Sequence, residues 1–158
     1  MKGFSLAAAA GAVALLAPLG AATAAQAASP VPFTINEQIT LGPGGPETET
    51  FTVTQGPLCH LGTFEDTVLN PPPPDQAGKV TLIVRSVYTC ADGSGTFNAM
   101  KQHVGTPSPD GFTSTGPIQL RGGTGTYADL NGHGVDTGSI EFTTGTATAT
   151  DSGVIVRS

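Results

Sequence analysis

The chain has no tryptophan, only two cysteines, six lysines and arginines in all, and 11% charged residues. Each scarcity excludes something. Six basic residues against twelve acidic ones, at a formal net charge of −6, cannot neutralise a phosphate backbone. That argues against nucleic acid and against anionic membrane surfaces as partners. Neither Cys59 nor Cys90 has a second Cys or His at ligand spacing, and His60, adjacent to Cys59, falls on the opposite face of a strand, so no zinc site is expected. The Gly-x-Ser-x-Gly nucleophile elbow of the α/β-hydrolases is missing. The 22 Gly and 13 Pro follow no Gly-X-Y period, which excludes a collagen-like chain, and 38% apolar residues are enough for a core. Past Ser29 no apolar run approaches membrane-spanning length.

What is present divides at residue 28. Lys2, an Ala/Leu-rich run from Leu6 to Leu19 and the small-x-small triplet Ala25-Gln26-Ala27 have the three-part layout of a secretory signal peptide. Pro18 and Gly20 make this run a poor membrane anchor, and no Cys follows it to carry a lipid. The expectation is a leader, 1–28, that is removed, and a single secreted domain, 29–158, with no membrane contact after removal. Loss of Lys2 takes the formal charge from −6 to −7. In an exported chain an even cysteine count predicts a Cys59–Cys90 disulfide.

Residues 29–158 read as short alternating runs cut by turn residues. Phe33, Ile35, Ile39 and Leu41 alternate with polar residues until Gly42-Pro43-Gly44-Gly45-Pro46 stops them. Further strands are expected at 48–54, 58–69, 79–90, 96–104, 112–120, 135–144 and 146–157, with an exposed loop at Asn70–Gly78. Threonine is used heavily and no helical period outlasts one turn. The fold class expected is all-β, a small eight-stranded antiparallel barrel or a sandwich, with one cross-strand disulfide.

Folding 58–69 against 79–90 around the proline loop, with Leu69 opposite Val80, also sets Cys59 opposite Cys90. One face of that hairpin then carries Leu61, Thr63, Glu65, Thr67 and Leu69 against Tyr88, Ser86, Val84, Leu82 and Val80. As the more uniformly apolar face it is expected inward. It would bring Glu65, Ser86 and Tyr88 into the interior as cavity-lining, ligand-binding residues, or leave Glu65 solvated at the barrel mouth.

The stretch Arg121-Gly122-Gly123-Thr124-Gly125-Thr126-Tyr127, continuing through Gly132 to Gly134, resembles the Gly-rich segment of the dirigent proteins and allene oxide cyclases. Cys90-Ala91-Asp92-Gly93-Ser94-Gly95-Thr96-Phe97 is similar to a segment preceding it in secreted actinobacterial proteins of the allene oxide cyclase barrel-like group. The resemblance implies an eight-stranded barrel with an apolar central cavity. Gly122, Gly123, Thr124, Gly125, Tyr127 and Gly132 are then structural, the glycines permitting turn geometry and Tyr127 plugging a barrel end. No catalytic residue carries over from the plant enzymes.

Other motifs carry little. Gly123-Thr124-Gly125-Thr126-Tyr127-Ala128 fits a dinucleotide pattern but lacks the strand–helix–strand unit around it. Asp129–Gly134 opens like a calcium loop, yet Ile140 stands where a bidentate Glu is required. Asp151-Ser152-Gly153 echoes a serine-protease segment, but Thr150 precedes it in place of Gly. His60, His103 and His133 form no i, i+2 or i, i+4 pair and are expected at the surface or the mouth. No metal or cofactor is expected. Two readings follow: a barrel holding a small hydrophobic molecule, or a cofactor-independent cyclase or isomerase with a carboxylate such as Glu65 assisting proton movement. A third is a structural or surface protein whose Thr-rich strands meet polymers or partners, the reading left if the barrel is filled by its own side chains.

Overall fold

The computed structural model describes residues 29–71 and 78–156. The expected leader, and residues 72–77 of the proline loop, lie outside the described residues. Eight antiparallel strands close into a barrel in simple sequence order, the first pairing with both the second and the last. They are β1 (Val31–Gly42), β2 (Gly45–Gln55), β3 (Leu61–Val68), β4 (Val80–Cys90), β5 (Thr96–Pro107), β6 (Gly111–Arg121), β7 (Asn131–Glu141) and β8 (Thr146–Ile155). Among the described residues closure gives every strand a neighbour on both sides, and alternate side chains point inward along the strands.

The turn chemistry places the connections. Gly45, Gly93 and Gly145 take positive φ at the β1–β2, β4–β5 and β7–β8 turns. In the β4–β5 turn the Ser94 amide donates to Asp92 Oδ1 at 2.9 Å, the local bond that makes Asp a turn former. The Gly-rich segment forms a short 3-10 turn at Gly125–Tyr127. Its Thr124 hydroxyl accepts from the Thr96 amide at 3.1 Å, tying the segment to the β4–β5 end of the barrel. β7 begins at Asn131, four residues before the expected Val135, so Gly132 and Gly134 are strand residues paired with Ile155 and Gly153.

That end of the barrel is filled. Tyr88 stacks on Phe97 with centroids 4.5 Å apart, Phe51 packs edge-on to Tyr88 at 5.2 Å and to Phe97 at 5.8 Å, and Tyr127 closes over Phe97 at 5.5 Å. Phe33, Ile35, Val53, Ile118, Leu120 and Ile155 complete this core. Tyr127 thus occupies the plug position expected of it. Gly62 is needed here, since a Cβ on it would lie 2.0 Å from the Thr89 carbonyl oxygen and 2.7 Å from the Phe51 ring.

The disulfide joins Cys59 and Cys90 with Cα atoms 5.9 Å apart, but Cys59 lies in the β2–β3 connection, before β3 begins. The two cysteines are therefore not opposed residues of one ladder. Gly62 is the partner of Cys90, where the hairpin argument required Val87, a shift of three residues. An odd shift reverses the face of a strand. β4 keeps the expected orientation, with Val80, Val84, Ser86 and Tyr88 buried, whereas β3 is turned over: Gly62, Phe64 and Asp66 face inward and Leu61, Thr63, Glu65 and Thr67 face out. Glu65 is not a cavity residue.

β2 and β3 share three residue pairs, Thr50–Thr63, Phe51–Gly62 and Thr52–Leu61, and then part. The slit between them is lined by Glu47, Thr48, Glu49, Phe64 and Glu65, which is where Glu65 ends up.

Candidate functional site

The end of the barrel away from Tyr127 is open. A cavity of about 310 Å³ enters between the strand ends there, within the range of roughly 300–1,000 Å³ typical of small-molecule sites. Its walls are apolar: Ile39, Leu41, Val68, Leu82, Val84, Phe112, Ile140 and Ala147. Its floor is not. Glu37, Glu49, Asp66, His103 and Ser114 line it from below, and beneath them, sealed from solvent, lie Ser86, Tyr88, Lys101, Asp136 and Asp151.

These polar residues occupy inward positions of otherwise apolar faces. Glu37 sits between Ile35 and Ile39 in the phase of the β1 core residues, Asp66 follows Phe64 by two, and Lys101 and His103 follow Phe97 and Ala99 in step. Asp136 and Asp151 are opposed residues of β7 and β8. Reading apolar alternation passes over such positions, because it scores them as gaps. The usable signal was a charged residue in the apolar phase of a strand, repeated on five strands.

Lys101 is the centre of the buried network. Its Nζ bonds Glu37 and lies 3.2 Å from Asp151 Oδ2, and it stands 5.5 Å and 5.8 Å from the Tyr88 and Phe64 ring centroids. Burial by itself would pull Lys101 down, but Asp151, Glu37, Asp66 and Asp136 outweigh it and hold the ammonium above the ordinary lysine range. The Tyr88 hydroxyl donates to Glu37 and lies 3.1 Å from Asp151 Oδ2. Burial, reinforced by Glu37 and Asp151, pushes that phenol well up, so it remains a donor.

Asp136 and Asp151, opposed on neighbouring strands, shift in opposite directions. Burial, then Glu37 and Asp136, raise Asp151 well above the usual carboxyl range despite Lys101. For Asp136 burial is outweighed by hydrogen bonds from His103 and Asp151, and it is lowered. Asp136 Oδ1, Asp136 Oδ2 and Asp151 Oδ1 are buried with no other hydrogen-bond partner, so a proton on either carboxyl would serve both residues. Lys101 lies between Glu37 and Asp151, and Asp136 faces His103. His103 Nδ1 lies 2.9 Å from Asp136 Oδ2 and 3.1 Å from Ser114 Oγ. At the cavity surface, burial raises Asp66 against the opposing effects of Lys101 and the Ser86 hydroxyl, which donates to it at 2.5 Å. Glu49, raised by burial and by Asp66, completes the rim of the slit.

Of the residues singled out from the sequence, Ser86 and Tyr88 are inside the barrel but below the floor, joined to Asp66 and Glu37 rather than open to the cavity. His60 and His133 are exposed, and His103 is at the mouth's floor. Gly122, Gly123, Thr124, Gly125 and Gly132 are at the closed end, remote from the cavity lining. Among the described residues no cluster of three or more His, Cys, Asp or Glu side chains is arranged to hold a metal ion.

Comparison with protein-family models, with curated proteins and with solved structures found no match.

Proposed function

We propose that the protein is an exported barrel that holds a small, mainly apolar molecule in its open mouth, with any polar end of that molecule on the charged floor. The observation that carries this is the cavity of about 310 Å³ with apolar walls, which the protein's own side chains leave unfilled. A barrel serving only as a structural element gains by packing both ends, as this one packs the end under Tyr127.

The test is fluorescence of the neutral dye Nile red with purified protein, alongside native mass spectrometry of protein taken from culture medium. Dye enhancement that disappears in Ala147→Phe and Ala149→Phe, which fill the cavity from β8, supports the reading. No enhancement in the parent protein, or equal enhancement in the filled variants, refutes it. The intact mass of the secreted protein also tests removal of 1–28.

A second reading is a cofactor-independent cyclase or isomerase, or a coupling guide, of the kind the resemblance to allene oxide cyclases and dirigent proteins implies. What favours it is the set of proton-carrying groups on the cavity floor, His103 and Asp66 foremost. The role first assigned to Glu65 passes to its inward-facing neighbour Asp66.

A further inference from the structure

A container for apolar molecules has no need of His103 and Asp136. Placing an aspartate with no solvent exposure behind a histidine costs desolvation that an apolar pair would avoid. Apolar residues form the walls of the mouth, and β5 could continue Phe97 and Ala99 in the same manner. Instead, His103 presents a side chain that is 14% exposed at the cavity, backed by Asp136 at 0%. With Nδ1 engaged by Asp136 and Ser114, Nε2 is the ring nitrogen left for an occupant. This is the orienting relation in which a buried carboxylate fixes the tautomer of an imidazole and stabilises its protonated form.

We propose that His103, positioned by Asp136, transfers a proton at the carbon next to a carbonyl group of the cavity's occupant. The inference rests on the container reading and adds a reaction to it. The substrate class is a small ketone or aldehyde with an apolar body. Neutral His103 takes the α-proton through Nε2: the C–H bond breaks, the N–H bond forms, and the electron pair moves onto the carbonyl oxygen as an enolate. Asp66 lines the same cavity, burial raises its carboxyl, and its protonated form donates a hydrogen bond to that oxygen. The proton then returns from His103, either to the same carbon or, in a β,γ-unsaturated carbonyl, to the γ-carbon with a shift of the double bond. Nothing is oxidised or reduced and no co-reactant is consumed. His103 is the catalytic residue and Asp136 its positioning residue.

Cyclohexanone in D₂O, followed by proton NMR, tests this with purified protein. Loss of the α-proton signals gives exchange, and saturation transfer in the same sample gives binding. The protein should accelerate exchange, and His103→Gln should lower that acceleration by ~10²–10⁴-fold while cyclohexanone still binds. Asp136→Asn should lower it as well and also shift the His103 ring ¹⁵N signals to the other tautomer, a change that a purely structural aspartate would not produce. Amide spectra confirm that each variant is folded. His103→Gln removes a partly exposed side chain, so it decides the matter even if Asp136→Asn unfolds. Binding without exchange, or exchange that survives His103→Gln, overturns the proton-transfer role and leaves the container reading intact. If Nile red enters and cyclohexanone does not, the carbonyl substrate class is overturned. If neither enters, both readings fall.

Discussion

Replacing Lys101 with Met tests how the interior is held together. The side chain has no solvent exposure and is the sole cation bonded to both Glu37 and Asp151 among the described residues. Met matches its length and packs against Phe64 and Tyr88, so the change is chiefly one of charge. Glu37 would keep only the Tyr88 hydroxyl as partner among the described residues, with its side chain 2% exposed. Stranding one member of a buried pair costs about 3–5 kcal/mol. For a domain of this size that corresponds to a fall in melting temperature of roughly 10–20 °C. Lys101 is held above the ordinary lysine range, so its contribution is fully present at neutral pH and is lost only at strongly alkaline pH. In the variant Asp151 loses its one lowering influence of consequence and rises further. A raised carboxyl gives stability that is complete below its unfolded value and declines as pH climbs through the folded one. The deficit of Lys101→Met should therefore be level over the range in which Asp151 is protonated in both proteins and grow at higher pH, once the parent's Asp151 ionises. Urea unfolding followed by far-ultraviolet circular dichroism across both ranges measures it. Adding Glu37→Gln, which removes the stranded charge but keeps an acceptor for Tyr88, should restore about 1–3 kcal/mol. A loss below about 1 kcal/mol at pH 7, or one that does not grow with pH, would refute the network as described.

Two further perturbations reach other parts of the fold. In the parent protein Asp66 and Asp151 are raised, so stability should decline as pH rises from the ordinary carboxyl range through their higher values. Asp136, which is lowered, contributes in the opposite sense and is lost only on strong acidification. Asp151→Asn should flatten the decline, because it removes one of the two raised carboxyls; a decline as steep as the parent's in urea titrations would contradict that rise. The paired substitution Cys59→Ala with Cys90→Ala should lower stability by ~3–4 kcal/mol, the loop-entropy value for a closure of 31 residues, as read from the urea midpoint.

The sequence by itself determined the class of the fold, the succession of eight strands and the turns between them. Period-2 alternation and Gly-, Pro- and Asn-rich breaks act over a few residues and need no knowledge of distant neighbours. The cysteine pairing was legible for the same reason of economy, there being only two to join. The phase of β3 was not legible. Leu61, Thr63, Glu65, Thr67 and Leu69 are as plausible an apolar face as Gly62, Phe64, Asp66 and Val68, and local alternation cannot choose between them. The choice was made by Phe51, whose ring lies over Gly62, and by the disulfide's route through the β2–β3 connection. The floor of the cavity is likewise a tertiary fact. Glu37, Asp66, Lys101, His103, Asp136 and Asp151 lie on five strands spread over more than a hundred residues, and each alone looks like a flaw in an apolar face. Only closure of the barrel brings them to one level, where the charge of each answers the desolvation of the others.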